Sequence, residues 1–152
     1  MTASWLLPSL LAAPLAGALV LLLAGRRAEK WSSWFGLGVQ TVGLAVTLLV
    51  LVEFKLSSAG SMQLVVEAEW IPELLVDFRL GVDGISLPLV ALTSLLGWCA
   101  AVYTVRHVPE MGRARAFVGL LLLLQVGMLG TFMALDLILF FVFFEVVLLP
   151  MY

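Results

Sequence analysis

One acid stands in the most apolar stretch of this chain: Glu145, inside the run from Asp136 to Met151. A carboxylate at bilayer depth costs at least ~2.5–3.5 kcal/mol even on lenient insertion scales. Such a group is kept where it has a partner or a use. A carboxyl buried in hydrocarbon favours its neutral form, and a nearby cation favours the charged form. Held between those influences, it takes up and releases a proton as its partner moves, which is the chemistry of a membrane proton relay. Asp136 lies nine residues earlier, so on a helix Glu145 sits about 13–14 Å further in, near the bilayer midplane.

Two further residues are candidate relay support. Pro150 has no N–H to give the carbonyl of Val146, one turn from Glu145, so that carbonyl is free for water or a neighbouring polar side chain. The plainer alternative is that Pro150 only kinks the helix. Gln125, midway along the preceding apolar segment, offers an amide to the relay or, more simply, an interhelical hydrogen bond. The helical face around Glu145 carries Ile138, Phe141, Val142, Leu148, Leu149 and Tyr152, of which only the tyrosine is polar. No Lys, Arg or His lies at mid-depth in any apolar segment. The chain thus holds an expensive acid and no cation to pair with it. Either the partner lies elsewhere, or Glu145 stays protonated.

The elements that position these residues are membrane spans. Of the 152 residues, 63% are hydrophobic and 12% charged, against roughly a quarter charged in soluble domains. Five apolar segments stand out, at about 5–24, 34–52, 85–105, 117–135 and 137–152, the last cut short. The fold class expected is therefore an all-α membrane protein in a single transmembrane domain. The first segment has no Lys or Arg before it and is too long for a signal h-region, so it reads as a retained span. Six of the eight basic residues fall in two alternate loops (Arg26, Arg27 and Lys30; Arg106, Arg113 and Arg115). The positive-inside rule makes those loops cytoplasmic and puts the N-terminus outside; the membrane expected is a bacterial plasma membrane.

The outer loop, 56–83, carries Glu67, Glu69, Glu73, Asp77 and Asp83. Val76, Phe78 and Leu80 alternate with Asp77 and Arg79 at strand period, and Val65 to Trp70 does so less cleanly. With a turn at Ile71-Pro72-Glu73, this reads as a small β-hairpin on the outer face. Asp83 is the expected N-cap of the third span, with an ion path as the alternative. Ala13 with Gly17, and Gly130 with Ala134, have the spacing of close helix contacts. Pro14 and Pro88 either bend their spans or are tolerated there. His107 reads as a solvated loop residue, and Cys99 as a small buried core residue. No phosphate cradle, His/Cys cluster or nucleophile–base pair occurs, so nucleotide, nucleic acid, metal and redox-centre binding are not expected of this chain.

Two long strings, WIPELLVDFRLGVDGISLPLVALTSLLG and GTFMALDLILFFVFFEVVLLPMY, resemble the amino-terminal part of the antiporter-like subunit M (chain 4) family of proton-translocating NADH:quinone oxidoreductase, respiratory complex I. The ending E-x-x-L-x-P-M-Y favours that family over its sister subunits. The resemblance implies a fold of about fourteen spans with two inverted five-helix repeats, the first starting at the fourth span (compare). It also implies that Glu145 is the fifth-span acid essential to pumping. That acid is paired in the family with a lysine on an interrupted seventh span, which would lie beyond Tyr152. Because the chain stops inside the motif, a fragment or truncated product is expected. The resemblance further implies no cofactor in this chain, with NADH, flavin, iron–sulfur clusters and quinone in partner subunits. Its partners would be other complex I membrane subunits, the bilayer and protons. The alternatives are a subunit of a multi-subunit cation/proton antiporter or membrane-bound hydrogenase and, in another class, a structural membrane scaffold with an inert Glu145.

Overall fold

The computed structural model describes residues 5–72, 76–107 and 113–151. Helices α1 (Leu6–Leu23), α2 (Ser32–Glu53), α3 (Ser86–Arg106) and α4 (Ala114–Met133) are long and apolar enough to cross a membrane. Helix α5 (Leu137–Met151), with 15 residues, is shorter. Strands β1 (Gln63–Ile71) and β2 (Val76–Val82) form one antiparallel pair between α2 and α3. The molecule is an integral membrane protein of helices with a small two-stranded sheet, as its composition demands.

Apolarity does not sort inside from outside here, because lipid is as apolar as leucine. Close approach and polar contacts do the sorting instead. The buried stripe of α3 runs through Leu87, Val90, Ser94, Gly97, Ala101 and Thr104, a helical spacing of small and hydroxylated residues. The α2 stripe is similar, through Ser33, Gly36, Gln40, Thr47 and Val50. The stripes meet where Thr47 Oγ1 and Ser94 Oγ lie 2.8 Å apart, and where Trp98 donates to Thr41 Oγ1 at 3.1 Å. Helix α4 is central and packs on α1, α2, α3 and α5.

The connections alternate between two ends. At the basic end a 3-10 turn, Gly25–Lys30, joins α1 to α2. Arg115, at the start of α4, donates to the carbonyls of Leu21 at 2.9 Å and Leu22 at 3.2 Å, satisfying the exposed C-terminus of α1. Its backbone N–H donates to Glu29 Oε2 at 3.1 Å. The two basic loops therefore share one end. The expected turn at Glu73 lies outside the described residues, as does Pro109.

At the other end the hairpin is joined to the helices rather than resting on them. Arg79 pairs with Glu67 across the strands, donating from Nε at 3.0 Å and Nη2 at 2.6 Å. Pairing slips between Gln63 and Val66, where Leu64 takes a left-handed φ of 55°; a bulge absorbs the extra residue there. The outer edge of β2 continues into the α4–α5 connection. Leu80 bridges Ala134, and the Leu135 N–H donates to the Arg79 carbonyl at 2.9 Å. That bond explains why α4 ends at Met133 and not Leu135: the next two residues are spent on strand pairing. Val82 and Leu80 then join Leu6, Leu10, Val50, Val90 and Met133 in the larger buried cluster.

Three local expectations resolve here. The residue bordering α3 is Ile85, not Asp83, but Asp83 still caps the turn that leads into the helix, its Oδ1 accepting from Ser86 N at 2.7 Å and Ile85 N at 3.0 Å. Pro88 falls in the first turn of α3, where no backbone donor is lost, while Pro14 is buried inside α1. Cys99, expected in the core, is instead exposed on the outward face of α3. It lies two residues from Gly97, which occupies the inward stripe, so the helical turn points it the other way.

Candidate functional site

Helix α5 carries the candidate acid, and its first turn is fixed at both ends of Asp136. The Asp136 carboxylate accepts from Ile138 N at 2.8 Å and Leu139 N at 3.1 Å, and its carbonyl accepts from Phe140 N at 2.9 Å. The preceding residue is tied to β2. The start of α5 is thus held by a cap and by a strand, independently of packing.

Packing then fixes the rotation of α5. The Phe143 ring lies against Gly130 and the Val147 side chain against Gly127, each where a Cβ on the glycine would collide. At Gly127 such a Cβ would meet Val147 Cγ2 at 2.6 Å and the Phe143 carbonyl at 3.1 Å. Leu139, four residues before Phe143, is buried on the same stripe. Glu145 lies two residues from both Phe143 and Val147, so it is turned about 200° from the α4 contact. It stands on the open face of α5, exposed among Phe141, Phe144, Leu148 and Leu149. Among the described residues it has no hydrogen bond and no ion pair.

Gln125 is 3% exposed and packs its amide against Gly97 of α3. It is two residues from Gly127, so it faces away from α5. The structure therefore does not bring Gln125 to Glu145, and Gln125 acts at the α3–α4 contact. Pro150 lies within the last turn of α5 and is half-buried; Tyr152 is outside the described residues. His107 closes α3, its ring stacked on Tyr103 with centroids 4.4 Å apart.

Reading the sequence missed one polar residue. Gln40 of α2 is 2% exposed, and its Nε2 has no hydrogen-bond partner among the described residues. The signal was its place in the stripe Ser33, Gly36, Gln40, Thr47. At the hairpin end, the Ser86 N–H foremost, with help from the Ile85 N–H and the Ser86 hydroxyl, holds the half-buried Asp83 carboxyl below the ordinary aspartate value of 3.8, against desolvation, the second-largest effect. That is the signature of a cap.

No family profile matches the chain. Curated sequences do. It is 36% identical over 166 residues to NADH-quinone oxidoreductase subunit M of Mycobacterium tuberculosis, covering 91% of this chain and 30% of that protein. It is 38% identical over 143 residues to subunit M of Rhodobacter capsulatus, covering 91% and 27%. The chain is a relative of the subunit M and chain 4 proteins. It spans only 27–30% of the length of these relatives. Among solved structures, the Mrp complex of a Dietzia species superposes with a TM-score of 0.76 at 22% identity, over 95% of this chain and 15% of that one. This likeness concerns the fold alone.

Proposed function

We propose that this chain forms part of a proton channel in subunit M of an NADH:quinone oxidoreductase, complex I, and that Glu145 is the acid that gates it. The observation that carries the reading is the placement of Glu145: an ionisable group in an apolar helix, rotated away from α4 and left on an open face. A carboxylate there requires a partner across that face. A second element bearing a cation would supply it, and movement of that cation would drive proton uptake and release. Electron transfer from NADH to quinone, through flavin and iron–sulfur clusters, belongs to partner subunits under this reading. This chain contributes the proton site and the scaffold around it. The basic loops face the cytoplasm, and the hairpin faces outward across a bacterial plasma membrane.

The test is Glu145→Ala in the native membrane complex, with NADH-driven proton uptake followed in inverted vesicles. Assembly should be retained, because Glu145 makes no hydrogen bond or ion pair among the described residues, and pumping should be abolished. Near-normal pumping would overturn the assignment. The likeness to the Mrp complex favours a second reading, a cation/proton antiporter that uses no NADH. Sodium-driven proton exchange in vesicles without NADH would favour it, as would the absence of cysteine-rich iron–sulfur subunits among the neighbouring genes.

A further inference from the structure

Gln40 is a buried polar group that the helices leave unanswered. It is 2% exposed, and its Nε2 has no hydrogen-bond partner among the described residues. A buried donor left unmade costs its full desolvation. Two contacts fix where the residue faces. Gly36, four residues earlier, lies against Val118 of α4, so closely that a Cβ there would collide with it. Thr47, seven residues later, meets Ser94 of α3 at 2.8 Å. Residues four and seven apart share one helical stripe, so Gln40 faces the junction of α2, α3 and α4.

Gly43 lies between Gln40 and Thr47 on that stripe, about 4.5 and 6 Å from them along the axis. A Cβ built on Gly43 would meet nothing within 4 Å. Gly36 and Gly97, at the same junction, differ: Val118 fills the space at one and the Gln125 amide at the other. Gly43 therefore leaves a hollow beside the Gln40 amide. Its far side is polar. The Thr47 hydroxyl donates to the Gly43 carbonyl at 3.0 Å. A hydroxyl has one hydrogen, so Ser94 is the donor in the Thr47–Ser94 pair, and the Ser94 oxygen keeps its lone pairs free to accept. An unmet N–H on one side, a hydroxyl oxygen on the other and room between them suit a buried water, which bonds polar groups that the protein leaves unsatisfied. The enclosure of the amide shuts out a side chain from a neighbouring subunit.

We propose that the Gly43 hollow is a water site, in which one ordered water accepts a hydrogen bond from Gln40 Nε2 and donates one to Ser94 Oγ. The water makes a polar joint between α2 and α3 within the membrane-spanning bundle, separate from Glu145 on the open face of α5. The assignment rests on the fold alone and holds whichever complex the chain serves.

Electron cryo-microscopy of the intact membrane complex, at a resolution that shows water, tests the site in the wild type and two variants. The wild-type map should hold a water peak beside Gly43, about 2.7–3.2 Å from Gln40 Nε2. Gln40→Leu keeps a side chain of similar size and removes the donor, and the peak should be lost. Gly43→Val fills the hollow and should displace the peak while leaving Gln40 in place. A wild-type map with no peak there, or with Nε2 bonded directly to a protein oxygen, would overturn the proposal without reliance on any variant. A peak that persists in either variant would also overturn it.

Discussion

Glu145 and Asp136 are both acids of α5, yet their surroundings assign them opposite work. Asp136 spends its carboxylate on two backbone N–H groups, and Glu145 spends its own on nothing within the described fold. Asp136→Ala should therefore destabilise the start of α5 by about 1 kcal/mol, and Asp136→Ser by much less, measured by denaturant unfolding in detergent. Glu145→Gln should leave the same unfolding curve unmoved. Asp83 adds a pH signature. Its folded pKa lies below the ordinary value, so its contribution is complete above about pH 4 and is lost as pH falls through the folded pKa. Asp83→Asn should lack that acid-side loss, which difference melting curves between pH 6 and pH 3, on the order of the carboxylate range, would detect. The residues that carry charge in apolar context were legible in the sequence, because their cost is visible there. Their rotation was not. Whether Gln125 faces Glu145 depends on which stripe of α4 meets α5, and only packed glycines decide that.

At the scale of elements, the α4–α5 contact is a pair of glycines receiving a ring and a branched side chain. Gly130→Val should collide with the Phe143 ring and Gly127→Val with Val147, costing about 1–3 kcal/mol or displacing α5 altogether. Gly38→Ala, where an added Cβ meets nothing within 4 Å, should be neutral or slightly stabilising. Proteolysis of the detergent-solubilised chain would rank the three. If displacement of α5 moves Glu145, the glycine variants should also impair pumping although they carry no charge. The hairpin was legible from the alternation Val76, Phe78, Leu80. Its attachment to the α4–α5 connection was not, because a single backbone bridge at Ala134 leaves no pattern in side chains. Cys99 was misplaced for a related reason. Apolar surroundings in sequence do not mean interior when the surroundings of the whole molecule are also apolar.

At the scale of the whole molecule, the two basic loops meet at one end through Arg115, Glu29 and the end of α1, and the hairpin and the α4–α5 connection meet at the other. Membrane-impermeant maleimide should therefore label Ser61→Cys and Arg113→Cys from opposite sides of the membrane, with Arg113→Cys reached from the cytoplasm. The native Cys99, midway along an apolar helix of membrane-spanning length, should stay unlabelled from either side. The four long apolar helices could be read from hydropathy alone, because the bilayer imposes their length. The open face of α5 has no such signature. It is defined by what the described residues leave uncovered, and its chemistry depends on a proton coming and going. Infrared difference spectroscopy of the intact complex, with and without NADH, tests that directly. A protonated-carboxyl band that responds to NADH and is missing in Glu145→Gln is the predicted result; a spectrum unchanged by that substitution would contradict the account.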